Sequence, residues 1–333
     1  MKVAIVHDDL VQWGGAERVL EGICKIFPEA PIYTSVFDRG NLELNKRFGS
    51  KKVATSFLQD IPGWKFLYKA LLPLYPIAFE QFNFDEYDLV ISHTTRFAKS
   101  IITKPGTRHV CYCHTPPRFL WHLSGEGNYG LGEMLMTKLR VYDQVSAKRV
   151  DCFIAGSENA KRRIKKVYGV DAKVVYPFID LARFKNVESF DGGYFLVIGR
   201  PNKYKRVDLA QTACQELGVE LKVISGDFSD EMVVQILAGC KALIVPGEED
   251  FGLVSLEAQA LGKPVIAAKL GGSLETVVEG KTGLFFTPGS EDNLMRMLQS
   301  LQSAKIKPAN CRENAARFNF DNFMSNFKQA VDM

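Results

Sequence analysis

Short apolar runs alternate with amphipathic segments along the whole chain. Runs such as Val3-Ala4-Ile5-Val6 and 242–245 are typical of strands buried on both faces of a parallel sheet. The segments between them carry apolar residues at helical spacing, as in 16–23. The alternation starts again at Tyr194, after a Gly-containing segment at 181–193 that is typical of a linker. The pattern predicts an α/β protein with two parallel sheets covered by helices.

The length of the chain agrees with two domains, because 333 residues can form two full hydrophobic cores. We expect a first domain at residues 1–185, a second at 186–312 and a C-terminal helical segment at 313–333. That last segment carries four phenylalanines close to helical spacing, at positions 318, 320, 323 and 327.

Composition and charge exclude some classes of protein. No run of about 18 apolar residues exists, and the first ten residues are too short an apolar run for a signal peptide. The seven cysteines are scattered, without a second pair that would complete a zinc pattern, which favours reduced thiols in a cytoplasmic protein. Residues 1–185 hold 27 Lys and Arg against 19 Asp and Glu, while residues 186–333 hold 15 against 19. A basic first half favours an anionic partner, although solvated helices also carry such an excess.

Two segments of the first half leave a membrane contact open. Residues 53–84 are dense in aromatic residues and prolines, with lysines nearby, and residues 161–166 form a basic helix. Both could contact an anionic lipid surface or a lipid-linked acceptor. The alternative is helical packing on the core for the first segment and a solvated face for the second. We expect Ser157 to cap the basic helix.

A loop and helix start at 246–260 form the first candidate site. A Pro-Gly pair stops the strand 242–245, and an acidic loop leads to a helix that we expect to open at Phe251. A helix start suits a phosphate or sugar oxygen. Glu249, on the loop, and Glu257, nearly two turns into the helix, would face one crevice and accept hydrogen bonds from hydroxyls. The stretch is either a pocket for a nucleotide sugar or a helix whose acidic start matches its dipole.

Other strand ends add further candidates. Gly14 and Gly15 follow the first strand, where a tight turn explains them as well as a ligand would. His114 directly follows strand 110–113, where open α/β sheets hold ligands, so we favour a site role for it. The loop 199–206 offers several cations for a diphosphate.

Taken together, these segments resemble the family 4 retaining glycosyltransferases of the GT-B fold, and the resemblance runs over nearly the whole chain. Glu249 and Glu257, with seven residues between them, look like the family's E-x7-E motif. The residues of two motifs, HTPPRFLW (114–121) and PGEEDFG (246–252), are most similar to those of the branch with bacterial mannosyltransferases of O-antigen and exopolysaccharide assembly. The motifs are GGAER (14–18), CYCHTPPRFLW (111–121), GRPNKYKR (199–206), EEDFGLVSLEAQALGKPVIA (248–267) and GGSLE (271–275).

The resemblance implies two Rossmann-like domains whose parallel sheets face a central cleft. The first domain would bind the acceptor and the second the nucleotide sugar, with the C-terminal helix packing back toward the first. Arg200 and Lys205 would bind the donor diphosphate, Glu249 the hydroxyls of the transferred sugar, and Glu257 the ribose. Backbone N–H groups that would assist Glu249 belong to Phe251, Gly252 and Leu253.

In the first domain the resemblance implies that Gly14 and Gly15 form a loop over the phosphate and that His114 lies near the sugar. His114, Arg200, Lys205 and Glu249 are therefore the expected catalytic set. The family's usual Lys-Gly is Lys205-Arg206 here, which changes the expected turn.

The implied reaction moves a hexose, mannose from GDP-mannose, to a glycan or lipid-linked hydroxyl with retention, in cell-surface polysaccharide synthesis. No D-x-D occurs in the chain, so we expect no metal and no other cofactor. We expect a cytoplasmic enzyme, peripheral on the inner face of the membrane, that binds no nucleic acid.

Several alternatives stay open. A UDP-sugar such as UDP-glucose could be the donor, and the enzyme could be a sugar phosphorylase, an epimerase or a synthase of a soluble glycoside. A nucleotide dehydrogenase is disfavoured, because no G-x-G-x-x-G follows either leading strand. A non-catalytic subunit that binds nucleotide or glycan is disfavoured by the retained site residues.

Overall fold

The computed structural model describes residues 1–67, 70–123, 132–199, 203–226 and 228–332. Its contacts divide the described chain into two compact units. The first unit contains residues 1–123, 132–175 and 324–332, and the second contains the described residues from 176 to 323. The divisions fall after Val175 and after Phe323, whereas the sequence suggests boundaries after residues 185 and 312.

In the described part of the first unit, seven parallel strands form one sheet in the order β3-β2-β1-β4-β5-β6-β7. The central strands are almost completely buried, as a sheet covered on both faces requires. The strands are β1 Val3–His7, β2 Ile32–Thr34, β3 Val53–Thr55, β4 Leu89–Thr94, β5 Arg108–Cys113, β6 Cys152–Ala155 and β7 Ala172–Val174.

The helices of the first unit connect these strands. Ser157 caps α7 by accepting a hydrogen bond from Ala160 N at 2.9 Å, which confirms the predicted cap. The helices are α1 Gly15–Ile26, α2 Leu42–Phe48, α3 Trp64–Leu67, α4 Tyr75–Glu80, α5 Arg118–Trp121, α6 Glu133–Ala147 and α7 Glu158–Tyr168.

The aromatic segment at 53–84 is mostly part of the core of the first unit. Trp64, Tyr75 and Phe79 are buried in one of its apolar clusters. The segment also contributes edge strand β3, which the sequence pattern does not indicate because the strand is only three half-buried residues long. Among the described residues of the segment, Phe66 has the most exposed large apolar side chain, at 93 %, and Phe57, Leu67 and Ile77 are exposed as well.

In the described part of the second unit, five parallel strands form a sheet in the order β12-β11-β10-β8-β9. The strands are β8 Phe195–Ile198, β9 Leu221–Ile224, β10 Leu243–Val245, β11 Val265–Ala268 and β12 Gly283–Phe286. The helices are α8 Val207–Leu217, α9 Asp230–Gly239, α10 Leu253–Ala260, α11 Ser273–Thr276, α12 Glu291–Ser300 and α13 Pro308–Ala316. A last helix, α14, covers Phe320–Ala330, and its residues from 324 group with the first unit.

Each sheet contains a point at which the strand order reverses, because the next strand of the chain is added on the other side of the first strand. In the first sheet this is between β1 and β4, and in the second it is between β8 and β10. In open α/β sheets, ligands bind outside the carboxyl ends of the strands at such a switch point. These two strand pairs therefore locate the candidate sites.

All seven cysteines are free thiols. Six of them are buried, and only Cys152 at the start of β6 is partly exposed. Burial raises the pKa of the Cys24 thiol and of the Cys240 thiol to about 12 each. These thiols are therefore protonated, structural side chains.

None of the described helices is long and apolar enough to cross a bilayer.

Candidate functional site

A pocket lies at the switch point of the second sheet. Its wall includes the carboxyl ends of β8 and β10 together with the loops that follow them. Lys205 comes from the loop after β8, whereas Gly247, Glu249 and Gly252 come from the loop after β10. The topology thus brings together two loops that are more than 40 residues apart in the sequence.

Lys205 and Glu249 face each other in this pocket. Their ammonium and carboxylate groups form an ion pair, and the two side chains are 20 % and 22 % exposed. A cation and a carboxylate in one half-buried pocket offer a partner for phosphate oxygens and a partner for hydroxyl hydrogens. The structure thus places Lys205 and Glu249 at one strand-end pocket, and their roles toward a donor stay a prediction.

Three glycines let the loops of this site approach each other. A Cβ atom at Gly247 would overlap the carbonyl oxygen of Tyr204 and the backbone of Lys205. A Cβ at Gly271 would lie 2.6 Å from the carbonyl oxygen of Glu249, and one at Gly272 would overlap the backbone of Phe251. The amide of Gly272 donates to the carbonyl of Glu249 at 2.8 Å. Gly247 therefore lets the Glu249 loop approach the Lys205 loop, and Gly271 and Gly272 let the turn after β11 approach the Glu249 loop.

Helix α10 begins at Leu253, two residues later than the sequence suggests. Gly252 is its N-cap, and its φ of 103° lies in the left-handed region that glycine adopts without strain. Phe251 precedes the helix, and its ring packs in the apolar core against Phe318, with ring centroids 5.5 Å apart. Gly252 lines the pocket, whereas the side chain of Phe251 is structural.

Glu257 is the fifth residue of α10, and it is not among the described residues that line this pocket. Its Oε1 accepts a hydrogen bond from Arg183 Nη1 at 3.0 Å. Arg183 also approaches Asp230, with Nη2 and Oδ2 3.6 Å apart. The sequence assigns Arg183 to a linker, but its turn at Leu181–Phe184 places Phe184 in the core and the guanidinium beside two carboxylates.

Arg200 lies outside the described residues, so its predicted diphosphate contact has no structural account.

In the first unit, Gly14 and Gly15 lie at the start of α1. Gly14 is the N-cap in an extended conformation, and Gly15 is the first helical residue. A Cβ at Gly14 would lie 3.2 Å from Glu17 Oε2, so this glycine gives room to a carboxylate in the first turn. The glycine pair therefore opens a twelve-residue helix whose N-terminus is next to the switch point.

His114 directly follows β5, as predicted, and it is one of three histidines in contact. Its Nε2 lies 2.7 Å from His93 Nε2. The other nitrogen of His93, Nδ1, lies 2.9 Å from His7 Nδ1. His7 Nε2 in turn lies 3.7 Å from Glu17 Oε1. We call His7, His93 and His114 the histidine row.

Burial and neighbouring charge act in opposite directions within the row. Burial alone would lower the pKa of His7, but the Glu17 carboxylate, with Asp8 and Asp9, raises it above its ordinary value. Burial, reinforced by the neighbouring histidines, holds the pKa of His93 well below its ordinary value. A proton added to the row therefore resides on His7 rather than on His93.

The sequence pattern indicates His114 but not His7, His93 or Glu17. His7 ends β1 just as His114 follows β5, so position at a strand end could have identified it. His93 is the fifth residue of β4, and only the strand register, which pairs it with His7, reveals its role. Among the described residues, no group of three His, Cys, Asp or Glu side chains is arranged to hold a metal ion.

Comparison with known families gives two matches that together span most of the chain. Residues 13–183 match the model described as Glycosyltransferase Family 4. Residues 184–318 match the model described as Glycosyl transferases group 1.

Among characterised relatives, the chain is similar to the alpha-1,3/1,6-mannosyltransferase ALG2 of two eukaryotes. It is 24 % identical to the Kluyveromyces lactis protein, over 84 % of this chain and 71 % of that one. It is 23 % identical to the human protein, over 86 % of this chain and 84 % of that one.

Among solved structures, Anabaena Alr3699/HepE in complex with UDP and glucose superposes with a TM-score of 0.72 and 19 % identity, covering 100 % of this chain and 99 % of that one. Sucrose-phosphate synthase from Thermosynechococcus elongatus gives a TM-score of 0.73 at 16 % identity, covering 100 % and 98 %. At such identities the likeness establishes the fold: two Rossmann-like parallel-sheet domains of the GT-B type.

Proposed function

Because the chain belongs to Glycosyltransferase Family 4, we propose that it moves a hexose from a nucleoside diphosphate sugar to a hydroxyl of a glycan or lipid-linked acceptor. The observation that carries this proposal is the Lys205–Glu249 pair in the pocket at the switch point of the second sheet. The pair offers the two kinds of contact that such a donor needs, a cation for its diphosphate and a carboxylate for its hydroxyls.

The proposed donor is GDP-mannose. The two ALG2 relatives are mannosyltransferases by name, and the motif wording around His114 and Glu249 supports the same sugar. The second candidate donor is UDP-glucose, which the HepE complex with UDP and glucose supports. Synthesis of a bacterial cell-surface polysaccharide is the proposed setting for either donor.

In the proposed mechanism Lys205 exchanges its contact with Glu249 for the diphosphate. The C1–O bond to the β-phosphate breaks, and the acceptor oxygen forms its bond to C1 on the same face, so the anomeric configuration is retained. The acceptor proton passes to a β-phosphate oxygen, and the nucleoside diphosphate leaves. Lys205 stabilises the charge that develops on the leaving group, which is the step where a fixed cation lowers the barrier.

Glu249 is proposed to hold the hydroxyls of the transferred sugar once Lys205 has turned to the phosphate. The N-terminus of α10 behind Gly252 adds N–H groups and a positive dipole end. Glu257, with Arg183 fixing its carboxylate, is the proposed ribose contact. Because protein cations neutralise the leaving group, the proposed reaction needs no metal ion.

The proposed acceptor is lipid-linked or a glycan at the inner face of the cytoplasmic membrane. The exposed Phe66, beside Lys65, and the basic positions of α7 support contact with an anionic surface. Arg163 does not contribute to that face, because it is buried and donates to Thr115 Oγ1 at 3.1 Å.

The first test is calorimetric titration with GDP, UDP, GDP-mannose and UDP-glucose, without metal, on wild type, Lys205→Ala and Lys241→Ala. Lys241 is an exposed lysine of the same unit and serves as the matched control. We expect GDP and GDP-mannose to bind wild type and the control, and we expect Lys205→Ala to bind more weakly. In turnover, loss of the cation should lower kcat by about 10²–10³.

Three other results of these experiments would change the proposal. Selective binding of UDP and UDP-glucose would replace the donor and keep the enzyme class. Binding without turnover on any lipid-linked or free glycan would support a non-catalytic subunit. An inverted anomeric proton coupling in the product, measured by NMR, would refute the retaining mechanism.

A further inference from the structure

Three strand ends bring the histidine row together. The register pairs His7 of β1 with His93 of β4, and it pairs Thr94 of β4 with Cys113, the residue before His114. The row therefore runs across three neighbouring strands at the switch point of the first sheet, and Glu17 of α1 ends it.

Nitrogen–nitrogen distances of 2.7 and 2.9 Å are hydrogen-bond lengths, so one nitrogen of each pair carries a hydrogen and the other accepts it. A neutral imidazole donates from one nitrogen and accepts at the other. His93 uses both nitrogens in the row, so its tautomer fixes the protonation of the nitrogens that face it on His7 and His114. A change of tautomer at His93 therefore requires a change of hydrogen at the facing nitrogens of His7 and His114 as well.

Glu17 is the charged group at the His7 end of the histidine row, where it favours a proton on His7. It is only 4 % exposed and lies in the first turn of α1, where the helix dipole favours a carboxylate. Within the described residues, Glu17 Oε2 and His7 Nε2 are buried and have no hydrogen-bond partner. The two groups therefore compensate each other's burial best as an ion pair, with His7 protonated.

Other charged and titratable groups surround the row. Asp8 and Asp9 follow His7, and the Arg96 guanidinium forms an ion pair with Asp9. Tyr112 of β5 packs its ring against His93 and His114, with centroids 5.6 and 5.2 Å apart. Because Asp9 is paired with Arg96, Glu17 is the carboxylate that faces His7 Nε2 directly.

We propose that Glu17, His7 and His93 are positioning residues that set the protonation of His114 Nδ1 by moving one proton along the row. In the protonated state His7 donates from Nδ1 to His93, His93 donates from Nε2 to His114, and His114 carries hydrogen on Nδ1. In the deprotonated state both hydrogen bonds reverse, and His114 Nδ1 becomes an acceptor. His114 thus offers a sugar hydroxyl either a donor or an acceptor, a contact that rests on the proposed function.

The change from the protonated to the deprotonated state removes one proton from the row. One proton leaves His114 Nδ1, the hydrogen on His93 Nε2 passes to His114 Nε2, and the hydrogen on His7 Nδ1 passes to His93 Nδ1. The positive charge disappears from His7, which stays hydrogenated on Nε2 toward Glu17. The same steps in reverse carry a proton from a substrate hydroxyl at His114 to His7.

The test is a pH titration of the ¹⁵N-histidine-labelled full chain by NMR, without substrate. The chain has five histidines, so single His→Gln variants can assign every ring. We expect His7 to titrate with a midpoint above its ordinary value of 6.5, and we expect the ring signals of His93 and His114 to change at that same midpoint. At that midpoint His93 and His114 should exchange tautomers, with hydrogen moving between Nδ1 and Nε2. Glu17→Gln should lower the common midpoint by about 1–3 pH units.

The matched control is Glu21→Gln, because Glu21 lies on the same helix and pairs with Lys25 at 3.6 Å, away from the row. It should leave the midpoint unchanged. His109 is an internal reporter of folding, since its Nε2 bonds Ser92 Oγ at 2.8 Å inside the core. Unchanged His109 signals will show that Glu17→Gln is folded.

Two results would overturn the proposal. Independent midpoints for the three histidines, or a midpoint that Glu17→Gln does not move, would refute the proton row. A pH profile of kcat/KM that stays in place while the NMR midpoint moves would refute its link to substrate. Neither result bears on the proposed function, which nucleotide calorimetry tests separately at Lys205.

Discussion

Glycines set the geometry of the candidate donor site more directly than its charged residues do. Lys205 and Glu249 have flexible side chains, and their ion pair needs the two loops to lie in backbone contact. Gly247 provides that contact by leaving no side chain between itself and the Tyr204–Lys205 backbone. At the scale of single residues, the glycine is therefore as necessary to the site as the charges.

Gly247→Ala tests this conclusion. The added methyl group would overlap backbone atoms, which cannot rotate away, so we expect a loss of about 1–3 kcal/mol in the free energy of unfolding. Donor affinity should fall too, because the Lys205 loop is displaced. Urea unfolding and nucleotide calorimetry measure the two effects.

Gly106→Ala is the matched control, since nothing lies within 4 Å of its Cβ position. Equal behaviour of the two variants would contradict the close-approach explanation.

The sequence predicted the positions of most residues of the candidate donor site but not their partners. Lys205, Glu249 and Gly252 lie where strand ends and a helix start predicted them. The Arg183 partner of Glu257 was missed, because a short turn in a Gly-containing segment has no periodicity to read. The partners of His114 were missed because they depend on the order of strands, which apolar runs do not encode.

At the scale of elements, a buried polar network fixes α10 against α11 and α13. Asn314 Nδ2 donates to Gln259 Oε1 at 2.7 Å and to the carbonyl of Thr276 at 2.9 Å. Gln259 Nε2 donates to the same carbonyl at 2.8 Å. Helix α10 carries Glu257 and follows Glu249, so this network supports the site from behind.

We expect Asn314→Ala to lower the free energy of unfolding by about 1–3 kcal/mol, because it leaves the buried Gln259 oxygen without its donor. Asn310→Ala on the same helix is the control, as Asn310 is only partly buried and its backbone makes the bond to Lys307. Urea denaturation of both variants is the measurement. Equal stabilities would show that the network contributes nothing.

At the scale of the whole molecule, the sequence pattern identified the fold class and almost every strand. Alternating apolar and amphipathic segments are read reliably because parallel strands are buried on both faces. The exception, Val53–Thr55, is a short edge strand of half-buried residues. The limits of the domains were harder to predict from the sequence. Residues 176–185 and 313–323 belong to the second unit because of their contacts, which their composition does not reveal.

Stability should fall as the pH is lowered, in part because of His109. Burial lowers the pKa of this ring to about 4 in the folded protein, against about 6.5 when unfolded. The unfolded chain therefore takes up the proton first, and stability is lost as the pH falls from about 6.5 to about 4. The expected loss from this group is about 3 kcal/mol.

Urea unfolding of wild type and His109→Gln across this range measures the effect, and the variant should show a smaller pH slope. His122→Gln is the control, because that ring is exposed. Identical slopes for wild type and His109→Gln would show that other groups cause the acid sensitivity.

The distribution of the thiols has a practical consequence. Six of the seven cysteines are enclosed in the cores of the two units, and Cys152 alone is partly open to solvent. A maleimide dye would attach to the folded chain at one place, at the start of β6 and away from both switch points. The other six thiols would react only when their own unit opens, so the order of modification, read by mass spectrometry, records which unit unfolds first.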